Sequence, residues 1–170
     1  ILVHIIPFAI EAEFSRIESI NILTIFGGSV FFAKIIAGIS TDRLGSRPVL
    51  AIGLGMMTIG LVLILTINEL WVFYLFAVLF AFGYGSGSVI MPNIVAEMFG
   101  LSFHGILLGI VNFCACIGCA IGPVAAGWLF DTTGNYNTAF MTITFLSLTT
   151  LVMVLSIGRH KQDKALAVSN

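Results

Sequence analysis

Charge is the scarcest thing in this chain. Only 9% of its 170 residues are Asp, Glu, Lys or Arg, against about 25% in an ordinary soluble domain. With 59% of the residues hydrophobic and a mean hydropathy of +1.12, that deficit excludes a water-soluble globule. Cysteine is also sparse, and Cys114, Cys116 and Cys119 share one apolar run, so no disulfide framework can be drawn. The trio lacks the acid and histidine partners of a metal site, and small-residue packing accounts for it; no metal is expected. A membrane hydrolase or transferase needs clustered His, Asp, Glu or a water-facing nucleophile, and none is present. No enzyme activity, cofactor or nucleic-acid partner is therefore expected. There is no basic leader with a small-residue cleavage site, and no initiator methionine.

What is present is apolar length. Five stretches, at about 18–40, 48–67, 70–95, 104–130 and 137–158, each reach the roughly 20 residues that span a bilayer as a helix. Backbone polar groups in lipid must be satisfied within the segment, so these are helices. Ahead of them lies Ile1-Leu-Val-His4-Ile-Ile-Pro7-Phe-Ala-Ile10, too short to cross. It reads as the outer end of a further helix, and the chain is expected to be a fragment. The expected fold class is an all-α membrane protein, with a helical bundle over residues 1–158 and a polar tail over 159–170.

The connectors alternate between two sides. Glu11–Arg16, Asn68-Glu69 and Asp131–Asn137 share one; Asp42–Arg47, Glu97–His104 and the tail share the other. Arg43, Arg47, Arg159, Lys161 and Lys164 fall on the second side, with only Arg16 on the first. Basic residues favour the cytoplasmic face, so the second side and the C-terminus are expected in the cytoplasm, most simply at the cell membrane. Trp71 and Tyr74, just past an outer turn, read as an interface belt. Gly83 and Gly87, Gly105 and Gly109, and Gly118 and Gly122 have the four-residue spacing that lets membrane helices approach closely.

The charged turn Gly38-Ile-Ser-Thr-Asp42-Arg43-Leu-Gly45-Ser46-Arg47 resembles the G-x-x-x-D-R-x-G-R-R loop of the major facilitator superfamily, with Ser46 replacing a usual basic residue. The family carries this loop twice, after its second and eighth helices. Four spans follow it here, so this copy resembles the second. Gly118 through Gly122, Pro123, Gly127 and Asp131 to Tyr136 is similar to the eleventh helix and its outer turn. Gly83 through Pro92 to Gly100 is similar to the tenth. The opening Val3-His4-Ile-Ile-Pro7 is similar to the monocarboxylate-porter and oxalate–formate antiporter branch. The resemblance implies the C-terminal six-helix half of a twelve-helix transporter with its first helix truncated. Its partners would be the N-terminal half, membrane lipid and a small organic anion moved by alternating access. It also implies that the turn, through Gly38, Asp42, Arg43, Gly45 and Arg47, gates the cytoplasmic side, with Glu97 pairing to Arg43 or Arg47. Gly118, Gly122, Pro123 and Gly127 would serve helix packing.

Lys34 is the one basic residue inside an expected span. An intramembrane charge costs about 2.5 kcal/mol or more and calls for a compensating role. In the branch it resembles, an arginine that contacts a substrate carboxylate stands there, four residues before the loop glycine. A lysine keeps the charge and loses the planar fork. Its alternative is to snorkel toward the cytoplasmic surface, but Asp42 is eight residues on, about 12 Å along a helix. His4 and Asn112 are further polar candidates for cavity lining, each equally explained by interhelical hydrogen bonding. No acid lies mid-span, so a carboxylate proton relay would have to sit outside this chain, and symport and antiport stay open. A drug, sugar or neutral-metabolite exporter, or a non-transporting sensor on the same scaffold, are the alternatives.

Overall fold

In the computed structural model, which describes residues 2–66 and 69–168 (of 157–168, the backbone alone), the apolar stretches are helices throughout. In chain order they are α1 (Ile5–Glu11), α2 (Arg16–Leu44), α3 (Ser46–Thr66), α4 (Leu70–Phe99), α5 (His104–Thr133) and α6 (Asn137–Val168). Helices α2 to α6 each contain a stretch long and apolar enough to cross a membrane. The short α1 followed by five spans is the expected all-α architecture.

Several boundaries shift for local chemical reasons. Helix α2 begins two residues before the apolar run because Ser15 and Glu18 form a capping box. The Ser15 hydroxyl accepts from the Glu18 N–H, and the Glu18 carboxylate accepts from the Ser15 N–H at 2.9 Å, satisfying donors that a helix start leaves orphaned. At its other end α2 runs through Asp42 and Arg43 to Leu44, so the expected charged turn is no hairpin but a one-residue junction. Gly45 makes it, at φ +83°, a conformation costly for any residue with a Cβ. Helix α6 continues past Gly158 to Val168, as the Lys, Gln, Ala and Leu that follow are good helix formers and no proline intervenes. Asn68 and the side chains of Arg159, Lys161 and Lys164 lie outside the described residues.

Helix α4 is the centre of the bundle, packed along both α2 and α3. Small residues allow this. A Cβ on Gly83 would lie 2.5 Å from the Met57 Cβ and 2.8 Å from the Gly53 carbonyl oxygen, and one on Gly85 would lie 2.9 Å from the Ala33 Cβ. The evenly spaced glycines do not all behave alike. A Cβ on Gly87, Gly105, Gly109, Gly118 or Gly122 would meet nothing within 4 Å, and at Gly127 only the His4 ring at 4.0 Å. The packing expected of Gly118 and Gly122 is therefore not made inside this bundle, because α5 lies against α4 and α6 along little of its length. Ala126 is the one buried residue of α5.

Two features tie the ends and the middle. At the α1 end Phe8 stacks on Phe140 with ring centroids 4.4 Å apart, and Phe73 meets it at 5.6 Å. Trp71 stays exposed at this end, while Phe73 and Phe76 turn into the core. Mid-bundle, the buried Thr58 and Ser147 hydroxyls lie 2.7 Å apart and join α3 to α6. Thr58 gives its proton to the Leu54 carbonyl, so Ser147 is the donor between them. Buried hydroxyls paired in this way avoid the cost of an unsatisfied polar group in hydrocarbon.

Candidate functional site

Lys34 stands on α2 ten residues before its end at Leu44, about 15 Å along the axis. That is roughly half the thickness of a hydrocarbon core. Its side chain is exposed, and among the described residues no carboxylate comes within ion-pair distance of it. Its backbone is held at the tightest α2–α4 approach, where a Cβ on Gly85 would lie 3.5 Å from the Lys34 nitrogen and 3.3 Å from the Val30 carbonyl oxygen. The cation is thus fixed to the central helix at its root and free at its tip.

Beside that contact is a residue that sequence reasoning passed over. Tyr84, next to Gly85, is 53% exposed, and its ring leans on Phe26 of α2 with centroids 5.8 Å apart. The signal was available: Tyr84 is the only residue with a polar side chain between Tyr74 and Ser86. Tyr84 and Lys34 thus put an exposed phenol and an exposed ammonium on the two helices that meet at Gly85.

His4 and Asn112 are not gathered there. Asn112 is exposed on α5, which packs on α4 and α6. His4 sits at the start of α1 with both ring nitrogens engaged. Its Nε2 is 3.0 Å from the Pro123 carbonyl oxygen, and its Nδ1 is 3.4 Å from the Tyr136 hydroxyl. A carbonyl only accepts, so Nε2 carries the hydrogen, and in the neutral ring Nδ1 accepts from the tyrosine. His4 is a clasp between α1 and the proline-bearing segment of α5.

Tyr136, in the connector between α5 and α6, is held above the ordinary phenol value of 10.0, first by burial and then by the Glu11 and Asp131 charges. Each of these disfavours the phenolate. The folded value is raised, so the stabilisation is complete below about pH 10 and is lost as pH rises through the folded value. A phenolate absorbance titration of wild type against Tyr136→Phe should therefore show the Tyr136 step shifted to higher pH than a free phenol. A step at the ordinary value would contradict this assignment.

The residues expected to gate cluster at the Gly45 end of α2. Arg43 is in the last turn of α2, where a cation complements the helix dipole; Asp42, beside it, gains nothing from that end. The expected pairing of Glu97 with Arg43 or Arg47 is not formed. Glu97 instead accepts a 2.5 Å hydrogen bond from the Ser46 hydroxyl, and among the described residues neither guanidinium has a carboxylate in ion-pair range. The cause is local: Ser46 opens α3, is only 2% exposed, and faces the last turn of α4, whereas Arg43 and Arg47 lie outside that contact. The residue that departs from the loop pattern adds a hydrogen bond between α3 and α4 here.

The sequence profile described as the Major Facilitator Superfamily matches residues 1–168. Among curated proteins, this chain is similar to monocarboxylate transporter 12 of Xenopus laevis, at 30% identity over 145 residues, covering 82% of this chain and 31% of that protein. The mouse protein of the same name is 26% identical over 163 residues, covering 91% and 32%. Protein spinster homolog 1 of Xenopus tropicalis is 24% identical over 145 residues, covering 84% and 28%. The chain thus spans about a third of the length of these relatives.

Proposed function

Since the chain belongs to the Major Facilitator Superfamily, a multi-pass integral membrane family of transporters rather than enzymes, we propose that it forms part of a secondary transporter for small organic anions, with Lys34 as the anion-binding cation. One observation supports this most: an ammonium rooted deep in α2, exposed and, among the described residues, without a carboxylate partner. A charge left so in a membrane is costly unless a water-filled cavity or an anion compensates it. Tyr84, on the adjoining helix, offers a hydrogen-bond donor beside the same α2–α4 contact. The similarity to monocarboxylate transporter 12 points to the same cargo class.

In this reading the Lys34 face of α2 and the exposed face of α5 meet the other half of the transporter, and the site lies between the halves near the midplane. The Arg43–Arg47 end faces the cytoplasm by its positive charge, and the junction at Gly45 is part of the gate. A lysine presents a compact charge in place of a fork, so it meets a carboxylate of a mono- or dicarboxylate without fixing the plane of its two oxygens. The test is uptake by the full-length protein in proteoliposomes of a monocarboxylate, a dicarboxylate, a sugar and an organic cation. Saturable uptake of the carboxylates alone is expected; saturable uptake of the sugar or the cation with none of the carboxylates would overturn the proposal.

A further inference from the structure

An apolar groove of about 160 Å³ opens between α2 and α3 over α4, lined among others by Ile36, Ser40 and Leu44 of α2 and Ile52 of α3. Its walls are not closed off: Ile36, Leu44 and Ile52 are 48%, 59% and 55% exposed. From Ile36 to Leu44 is eight residues, about 12 Å along the helix, against about 15 Å for one leaflet of a hydrocarbon core. The floor is made where α3 and α4 touch. A Cβ on Gly53 would lie 2.1 Å from the Ser86 hydroxyl oxygen, and that hydroxyl donates to the Gly83 carbonyl at 3.1 Å. Its proton is therefore already used, and the groove floor has little to offer a polar guest.

The mouth is different. Arg43 follows Ile36 by seven residues, close to two helical turns at 3.6 residues per turn, so it flanks the stripe of Ile36, Ser40 and Leu44 on the Ile36 side, at the level of Leu44 in the last turn of α2. Asp42 is turned about 100° further round the helix, away from Leu44. Glu97 is directed to Ser46, and Arg47 is half-buried at the start of α3. The charge at the head of the stripe is thus a guanidinium that, among the described residues, no carboxylate neutralises.

We propose that this groove holds one acyl chain of an anionic phospholipid from the leaflet on the Arg43 side, with its phosphate met by Arg43. An apolar slot about one leaflet deep, open to the bilayer and headed by a free guanidinium, matches a tail joined to a phosphate. A guanidinium also pairs phosphate oxygens two at a time. The proposal requires that the Ile36 face of α2, about 160° round the helix from Lys34, meets lipid while the Lys34 face meets the other half, and it stands or falls separately from the anion-transport reading.

The test uses the full-length protein extracted from vesicles of equal phosphatidylglycerol and phosphatidylcholine, with the retained lipids counted by native mass spectrometry. The wild type is expected to keep one phosphatidylglycerol in preference to phosphatidylcholine. Arg43→Gln should lower that preference about fivefold, which is what about 1 kcal/mol per basic residue at an anionic surface corresponds to. Ser40→Phe, which fills the groove, should lose the retained lipid of either kind. Equal retention of both lipids by the wild type, or an unchanged preference in Arg43→Gln, overturns the proposal. So does displacement of the lipid by soluble glycerol phosphate, which would show an anion site with no use for the groove. Arg43 is exposed, so its variant keeps the test decisive even if Ser40→Phe does not fold.

Discussion

Monocarboxylate uptake by the full-length protein is expected to fall about ten- to a hundredfold when Lys34 is replaced by glutamine. Hydrogen bonds to a charged group contribute about 1.5–3 kcal/mol, and every 1.4 kcal/mol is about tenfold in affinity. Glutamine keeps polarity at a slightly shorter length but removes the charge on which the proposed anion selectivity rests. Lys34→Arg restores the charge with a different shape, so it should recover part of the uptake and change the ranking of mono- against dicarboxylates. A snorkelling lysine would give another pattern: glutamine would be tolerated, because it removes the charge that had to reach the surface. Uptake by Lys34→Gln at wild-type rate and KM would dispose of Lys34 as the binding cation. Tyr84→Phe is a useful companion, since it removes one hydroxyl beside the same contact and leaves the Phe26 contact in place.

The second large effect concerns folding. Gly83→Val should destabilise the bundle by about 1–3 kcal/mol or more, the range for overpacking a filled interior. The obstruction at Gly83 is partly backbone, the Gly53 carbonyl oxygen 2.8 Å from where a Cβ would sit, and a carbonyl within a helix cannot rotate aside. Gly87→Val, four residues later on the same helix, meets nothing within 4 Å and should leave the thermal midpoint of this bundle nearly unchanged. If purified Gly83→Val melts with the wild type, then α3 and α4 do not approach each other as described.

The contrast between these two glycines shows what the sequence could convey. Spans were legible because their signal, about twenty apolar residues in a row, is a property of the segment alone. Capping at Ser15 is equally local, a Ser three residues ahead of Glu18, but hydropathy alone marks only where the apolar run begins. Glycine spacing is different in kind. Gly83, Gly87, Gly118 and Gly122 look alike in the text, yet only Gly83 is pressed by a neighbour, since the neighbour belongs to another segment. The same holds for the charged turn. Ser46 reads as a missing positive charge in the loop pattern, and its hydrogen bond to Glu97 follows from how α3 and α4 converge. Lys34 was singled out because a charge in an apolar run is conspicuous by itself, whereas Tyr84 gains interest only once Gly85 is seen against the backbone of α2.

The junction at Gly45 has a mechanical consequence. Two long rods that share a single residue have no slack between them: they can swing about that point, but neither can slide past the other or turn far about its own axis alone. Any displacement of Lys34 along the membrane normal must therefore be passed to α3, and through the Ser46 contact to α4. Four of the five spans would then travel as one piece, α6 being tied to α3 through Ser147 and Thr58, with α5, loosely attached to α4 and α6, the one free to lag behind.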